Sequence, residues 1–159
     1  MSIDAVRGYL AQRGAAERIM EFAQSTATVC EAAQTLGVEP ARIAKTLSFR
    51  NAAGDGCVIL VAAGDVRIDN HAFRAEFGMK PRMLTAEEAV RYTGHTVGGV
   101  CPFALPAGVT VYLDESLRRF DIVYPAAGNA ASAVRLTPEA LFRLSDAAGW
   151  EAVTKLPEG

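Results

Sequence analysis

Thr93-Gly94-His95-Thr96-Val97-Gly98-Gly99-Val100-Cys101-Pro102-Phe103-Ala104-Leu105 is the stretch around which the rest of the chain is organised. Two adjacent glycines sit among apolar and β-branched residues, and Pro102 follows three positions after Gly99. A glycine pair inside strand-like sequence points to unusual φ/ψ or to close approach of another group. Pro102 fixes its own φ and withdraws one donor. Two readings stand: a tight turn with a bulge, or a loop that offers free backbone N–H groups to a ligand oxygen.

Working outward, Thr85 and Glu88 form a capping box for a helix that ends near Gly94. Residues 80–84 read as a short strand. Asp69 caps a helix over 70–77, with Gly78 as its stop. Residues 57–63 are apolar without alternation, the pattern of a buried strand. The turn at 51–56 joins them to a strand over 45–50. Further back, Pro40 opens a helical turn. Thr28 and Glu31 make a second capping box for a helix over 29–36, closed by Gly37. Residues 18–22 form a short strand. Ile3, Val6, Leu10 and Arg13 recur at helical spacing before Gly14.

Downstream, a turn at 106–108 leads into a strand over 109–113 that ends at Asp114. A helical turn follows at 116–120, then a strand over 122–124, a turn at 126–129 and a partner strand over 133–136. Thr137 and Pro138 open the last helix, to about Ala147. A strand or tail covers 150–156. Strands and helices are interspersed, and the hairpins exclude a simple βαβ succession. The expected fold is α/β: a single domain over 1–159 with a mixed, curved sheet surrounded by helices.

The 159 residues suffice for one sizeable core. With 50% hydrophobic and 21% charged residues the chain is of globular type. A net charge of −2 excludes indiscriminate polyanion binding, so any nucleic-acid contact is a local patch. The first seven residues lack a signal-peptide apolar core, and no apolar run is long enough to span a bilayer. Cys30, Cys57 and Cys101 are odd in number and widely spaced, which points to a reducing, cytoplasmic setting.

Lys45 is the most informative side chain. Period 2 puts Ile43, Lys45, Leu47 and Phe49 on one face, sending an ammonium toward apolar surroundings. It is either a strand-edge lysine that snorkels to water or a functional group. Only three lysines stand against thirteen arginines, consistent with lysine being kept where a compact ammonium is needed. His71 reads as solvated and His95 as structural or surface-lying, with a base role as the alternative. Cys101 reads as a small pocket-lining residue; no His-Asp or His-Asn arrangement makes it a nucleophile. Asp114 ends a strand, facing a cleft or capping a turn. No P-loop, dinucleotide fingerprint, zinc pattern or nucleophile elbow is present, and no cofactor or metal is expected.

Together, Ser25-Thr26-x-Thr28, Ile43-Ala44-Lys45-Thr46-Leu47, Asp69, Lys80, Thr93-Gly94-x-x-Val97-Gly98-Gly99-Val100-x-Pro102 and Leu113-Asp114 resemble the YbaK/EbsC family, the prolyl-tRNA-synthetase-associated domain. Each motif alone is weak; their order and spacing, from about residue 17 onward, are specific. The resemblance implies a partly barrel-like sheet ringed by helices. It also implies deacylation of mischarged tRNA, most often tRNA(Pro), with contact to the acceptor end and transient contact with prolyl-tRNA synthetase. Lys45 matches the family's functional lysine, Gly98 to Pro102 its GxxxP substrate loop, and Ser25 and Thr26 the segment flanking the aminoacyl pocket. The alanine-rich residues 126–128 and Ala133 depart from relatives with polar residues there, which leaves the edited amino acid open.

The expected chemistry is ester hydrolysis. N–H groups of Gly99, Val100 or Cys101 would stabilise the oxyanion, and Lys45 would anchor the terminal phosphate or the carbonyl. A substrate ribose hydroxyl would help activate water. Met20, Phe22, Ala62 and Phe103 are candidate pocket walls, with ordinary core as the alternative. A non-catalytic tRNA- or synthetase-binding module and a thiol enzyme using Cys101 are the competing readings. Oligomeric state is left open.

Overall fold

A computed structural model describes residues 2–157. Its elements, in order, are α1 (Ser2–Ala11), β1 (Ile19–Glu21), α2 (Val29–Leu36), β2 (Ala44–Arg50), β3 (Cys57–Ala63), β4 (Arg67–Ile68), α3 (Asn70–Phe77), α4 (Ala86–Thr93), β5 (Thr110–Asp114), β6 (Ser132–Val134), α5 (Pro138–Leu144), β7 (Gly149–Glu151) and β8 (Thr154–Lys155).

Local chemistry sets the helix ends. Thr85 and Glu88 make both bonds of the capping box that starts α4. At α2 only half the box forms: Thr28 accepts from the Glu31 N–H, but its own hydroxyl donates to the Glu31 carboxylate. Asp69 and Thr137 cap α3 and α5 in the same way. Gly37, Gly78 and Gly94 end α2, α3 and α4 in the left-handed region.

The main sheet is mixed, with strand order β2-β3-β5-β7. β2 and β3 form an antiparallel hairpin in register from Ala44↔Ala63 to Arg50↔Cys57. β3–β5 and β5–β7 are parallel. Over residues 59–61 of β3 successive side chains face opposite cores, as a strand buried on both sides requires. Ile59 and Val61 join Val6 and Leu10 of α1 in the larger core. Leu60 joins Phe49, Phe73 and Val153 in a second one, and the Phe49 and Phe73 rings lie 4.8 Å apart. Each buried side chain of this size stabilises the fold by roughly 1.5–3 kcal/mol.

Among the described residues no sheet closes into a barrel. The mixed sheet expected from the sequence is this four-stranded one, joined by two ribbons, β1 with β6 and β4 with β8. The outer edge of β2 is covered by a loop: Arg50 N–H donates to the Arg82 carbonyl and Leu84 N–H to that of Ser48. That loop was expected as a strand over 80–84, but only the bridge Phe49↔Met83 forms. The strand expected over 122–124 likewise shrinks to the bridges Ile43↔Tyr124 and Val123↔Leu136. Pro125 follows Tyr124 directly and Pro81 lies two residues before Met83, and neither supplies a ladder donor.

Glu151 on β7 shares a hydrogen bond with Glu76 of α3, and its carboxyl is pushed up to about 7, by burial first and then by Glu76. The folded chain therefore holds a proton that the unfolded chain releases near the ordinary 4.5. Stability is full below that value and falls as pH rises through about 7. Glu151→Gln is expected to match the parent in melting near pH 4 and to exceed it by about 1 kcal/mol near pH 8, screening included. Equal pH profiles for the two proteins would exclude the shared proton.

Candidate functional site

The glycine stretch is a turn followed by a short extended segment. Gly99 N–H donates to the Thr96 carbonyl at 2.9 Å. Gly98 occupies the third turn position with φ +93, where a type II turn demands a positive value. Gly99 has a different reason for lacking a side chain. A Cβ there would sit 2.7 Å from the Cα and N of Asn129 and from the Gly128 carbonyl carbon. Gly128, at φ +103, would in turn place a Cβ 2.9 Å from the Ser2 carbonyl. Three backbone segments are thus stacked: the start of α1, residues 128–129, and Gly99.

Gly99 was expected among the oxyanion donors, and the structure corrects this: its N–H is spent inside the turn. Among the described residues no acceptor engages the N–H groups of Gly98, Val100 or Cys101.

His95 lies beneath this loop, 1% exposed. Its Nε2–H donates to the Phe103 carbonyl at 2.8 Å, which leaves Nδ1 to accept from the Ser2 hydroxyl. Burial holds its pKa below the ordinary histidine value. The imidazole is a neutral strut between α1 and the loop. Cys101 Sγ lies 3.5 Å from Nε2. The thiol is fully buried and pushed up to about 12 by desolvation. A thiol in that state supplies no nucleophile, which removes the Cys101 enzyme reading.

The loop borders a cavity of about 260 Å³. Lys45, Gly98, Val100 and Thr26 all line it. Gly99, Cys101 and Pro102 lie outside the lining, the last two buried behind it. Ser25 is exposed on a neighbouring groove, where its hydroxyl accepts from the Ala27 N–H. Asp114 is displaced further from expectation. It is buried, and it accepts from Ser116 N–H, from Val153 N–H and from the Thr154 hydroxyl at 2.6 Å. It ties the C-terminal segment to β5 and does not line the cavity. The expected walls Met20, Phe22, Ala62 and Phe103 also fall outside the lining, Ala62 and Phe103 as core.

Lys45 is half-buried, and its ammonium donates to the Val66 carbonyl. Burial lowers its pKa, against the opposing charge of Asp65. Asp65 is itself clamped by Arg119 at 2.6 Å. Two of the three ammonium donors therefore remain for another acceptor. The next residues supply groups that the sequence reading passed over. Thr46 and Ser48 both line the cavity, and Thr46 Oγ1 is buried with no partner among the described residues. Such an atom costs about 1–3 kcal/mol unless a ligand or water meets it. Its neighbour Lys45 was the available signal, since both alternations of one strand end reach the same cavity. The Thr26 hydroxyl, by contrast, is satisfied through two bonds to the Ser132 backbone.

The arrangement offers one cation, backbone N–H donors, an unpartnered hydroxyl and apolar walls, and among the described residues no carboxylate or imidazole joins the lining. It suits an anionic or carbonyl oxygen attached to a small organic group. Residues 23–144 match the aminoacyl-tRNA editing domain family. The chain belongs to that family. It is 48% identical over 155 residues to the uncharacterized protein YwhH of Bacillus subtilis, covering 98% of each chain. It is 30% identical to the candidate Cys-tRNA(Pro)/Cys-tRNA(Cys) deacylase EbsC of Enterococcus faecalis, over 77% of this chain and 75% of that one. Its fold is that of a solved candidate trans-editing enzyme for prolyl-tRNA synthetase, with TM-score 0.84, 33% identity and 99% and 98% of the two chains covered. Among the described residues no helix is long and apolar enough to cross a membrane.

Proposed function

We propose that the protein is an aminoacyl-tRNA deacylase acting in trans, with residues 1–159 working as one editing domain in the cytoplasm. The carrying observation is that Lys45 and the Gly98/Val100 loop line one small cavity with the unpartnered hydroxyl of Thr46. The substrate is the acceptor end of tRNA, most simply tRNA(Pro), bearing a small noncognate amino acid. Transient contact with prolyl-tRNA synthetase belongs to the same reading.

The Val100 N–H, on the cavity lining, stabilises the oxyanion that develops when water attacks the ester carbonyl. Lys45 holds the terminal phosphate or that carbonyl in place. Among the described residues the lining supplies no carboxylate or imidazole base, so a ribose hydroxyl of the substrate positions and activates the water. The ester is already an activated acyl group, and placement with charge stabilisation suffices. Ala44, Ala89, Ala126 and Ala133 leave room for a small side chain, while the limited volume disfavours a bulkier one.

Thr46 Oγ1 bonds a polar atom at the aminoacyl end. Thr46→Val, which keeps the shape and drops the hydroxyl, is expected to melt at or above the parent temperature and to lose about tenfold in kcat/KM. Thr46→Ser is expected to restore most of that loss. Unchanged kcat/KM in Thr46→Val removes this contact.

The missing base also favours a second reading, a module that binds charged tRNA without turnover. The decisive experiment is deacylation of tRNA(Pro) charged in turn with alanine, serine, threonine, cysteine or proline. Fast release of a noncognate residue, with proline spared, supports editing. Binding with no release from any member supports the module.

A further inference from the structure

We infer that the segment 79–84, with Arg74 beside it, is the track along which the sugar-phosphate backbone of the RNA acceptor strand reaches the cavity. This rests on the reading of an aminoacyl-tRNA substrate. The cavity holds one aminoacyl group, so the following nucleotides must lie outside it on one of its borders.

The 79–84 segment joins the cavity to a cationic surface. At one end Met83 and Leu84 line the cavity. At the other, Lys80 lines two shallow grooves, one shared with Arg50 and Arg82, the other with His71 and Arg74. Among the described residues no carboxylate lines either groove. Arg50 is paired with Glu88 at 2.6 Å. Arg74, Lys80 and Arg82 are exposed, and among the described residues none is in an ion pair. In a chain of net charge −2, three uncommitted cations beside one cavity are a local departure of the kind that phosphate binding needs.

Charge also sets the direction. Among the described residues the groove on the Ser25 side of the cavity is lined by Glu31 and uncharged residues, without a cation. A polyanion is repelled there and attracted over 79–84. Two large apolar side chains complete the surface: Met83 is 56% exposed and Val97 66% exposed, and both line the cavity. They offer the terminal base an apolar face on which to lie.

The test is binding of uncharged tRNA(Pro) across a salt series, which needs no turnover. Lys80→Ala/Arg82→Ala is expected to weaken binding about tenfold near 0.1 M salt and to reduce the slope of log K against log salt by roughly 1.5–2. Arg143→Ala on α5 removes a charge that lines none of these grooves, and it is expected to change neither quantity. An unchanged slope in the double variant, with melting intact, overturns the track even if the parent deacylates tRNA. A reduced slope in the double variant, alongside a parent that releases no amino acid, keeps the track and defeats the editing reading instead.

Discussion

Lys45→Ala is expected to lower kcat/KM for release of the noncognate amino acid by about 100-fold. Among the described residues the ammonium is the single charged group in the cavity lining, and its bond to the Val66 carbonyl fixes where it stands. A cation held in place in a half-buried site acts on a phosphate or carbonyl oxygen with less solvent screening than at the surface. Losing it leaves backbone donors as the remaining electrostatic help. Lys45→Arg is not expected to restore activity, because a planar guanidinium cannot occupy the place of a compact ammonium beside Val66. The fold should tolerate the loss, since Asp65 keeps Arg119 as partner. Thermal melting within a few degrees of the parent, measured beside the deacylation rate, separates lost chemistry from lost structure. Full activity in Lys45→Ala would falsify the anchoring role.

The second large effect falls on Gly99. Gly99→Ala is expected to destabilise the fold by about 2–3 kcal/mol, a fall in melting temperature of roughly 5–10 °C, and to reduce deacylation with it. The added Cβ meets three backbone atoms at 2.7 Å, and none belongs to a flexible side chain that could step aside. Residues 128–129 cannot retreat either, because Gly128 is already against Ser2. Gly94→Ala provides the contrast: φ is +78 but nothing lies within 4 Å of the new methyl. That variant loses only the conformational term, about 1–2 kcal/mol. Equal melting for Gly99→Ala and Gly94→Ala would show that the stacked backbone yields easily. Since the Gly99 N–H is already bonded to Thr96, lost activity in Gly99→Ala reports on loop position and not on oxyanion binding.

What could be read from the chain was what is local. The Thr85–Glu88 box, the Asp69 and Thr137 caps and the glycine stops of three helices depend on neighbours within a turn, and they form where expected. The 57–63 strand and its hairpin partner were legible because an unbroken apolar run fits a strand covered on both faces. The parallel partners of β3 and β5 lie far off in sequence, and no local pattern announces them. Asp114 shows the same limit at the site. Its position at a strand end was correct, but its acceptors' partners at 153 and 154 are supplied by a distant segment. Lys45, Gly98 and Val100 do line one cavity. The separate duties of Gly98 and Gly99, one conformational and one steric, become visible only with Asn129 in place.

The buried strut of His95 bears on how this domain could be cut or transplanted. Residues 23–144 carry the family match, yet Val6 and Leu10 of α1 are fully buried in the main core and the Ser2 hydroxyl donates to Nδ1 of His95. β7 and the Asp114 anchor at 153–154 lie beyond the other boundary. A fragment trimmed to the match would expose apolar surface at both ends and free the glycine loop from its backing. The portable unit for fusion to another protein is therefore wider than its recognisable motifs, and grafts should carry both flanks.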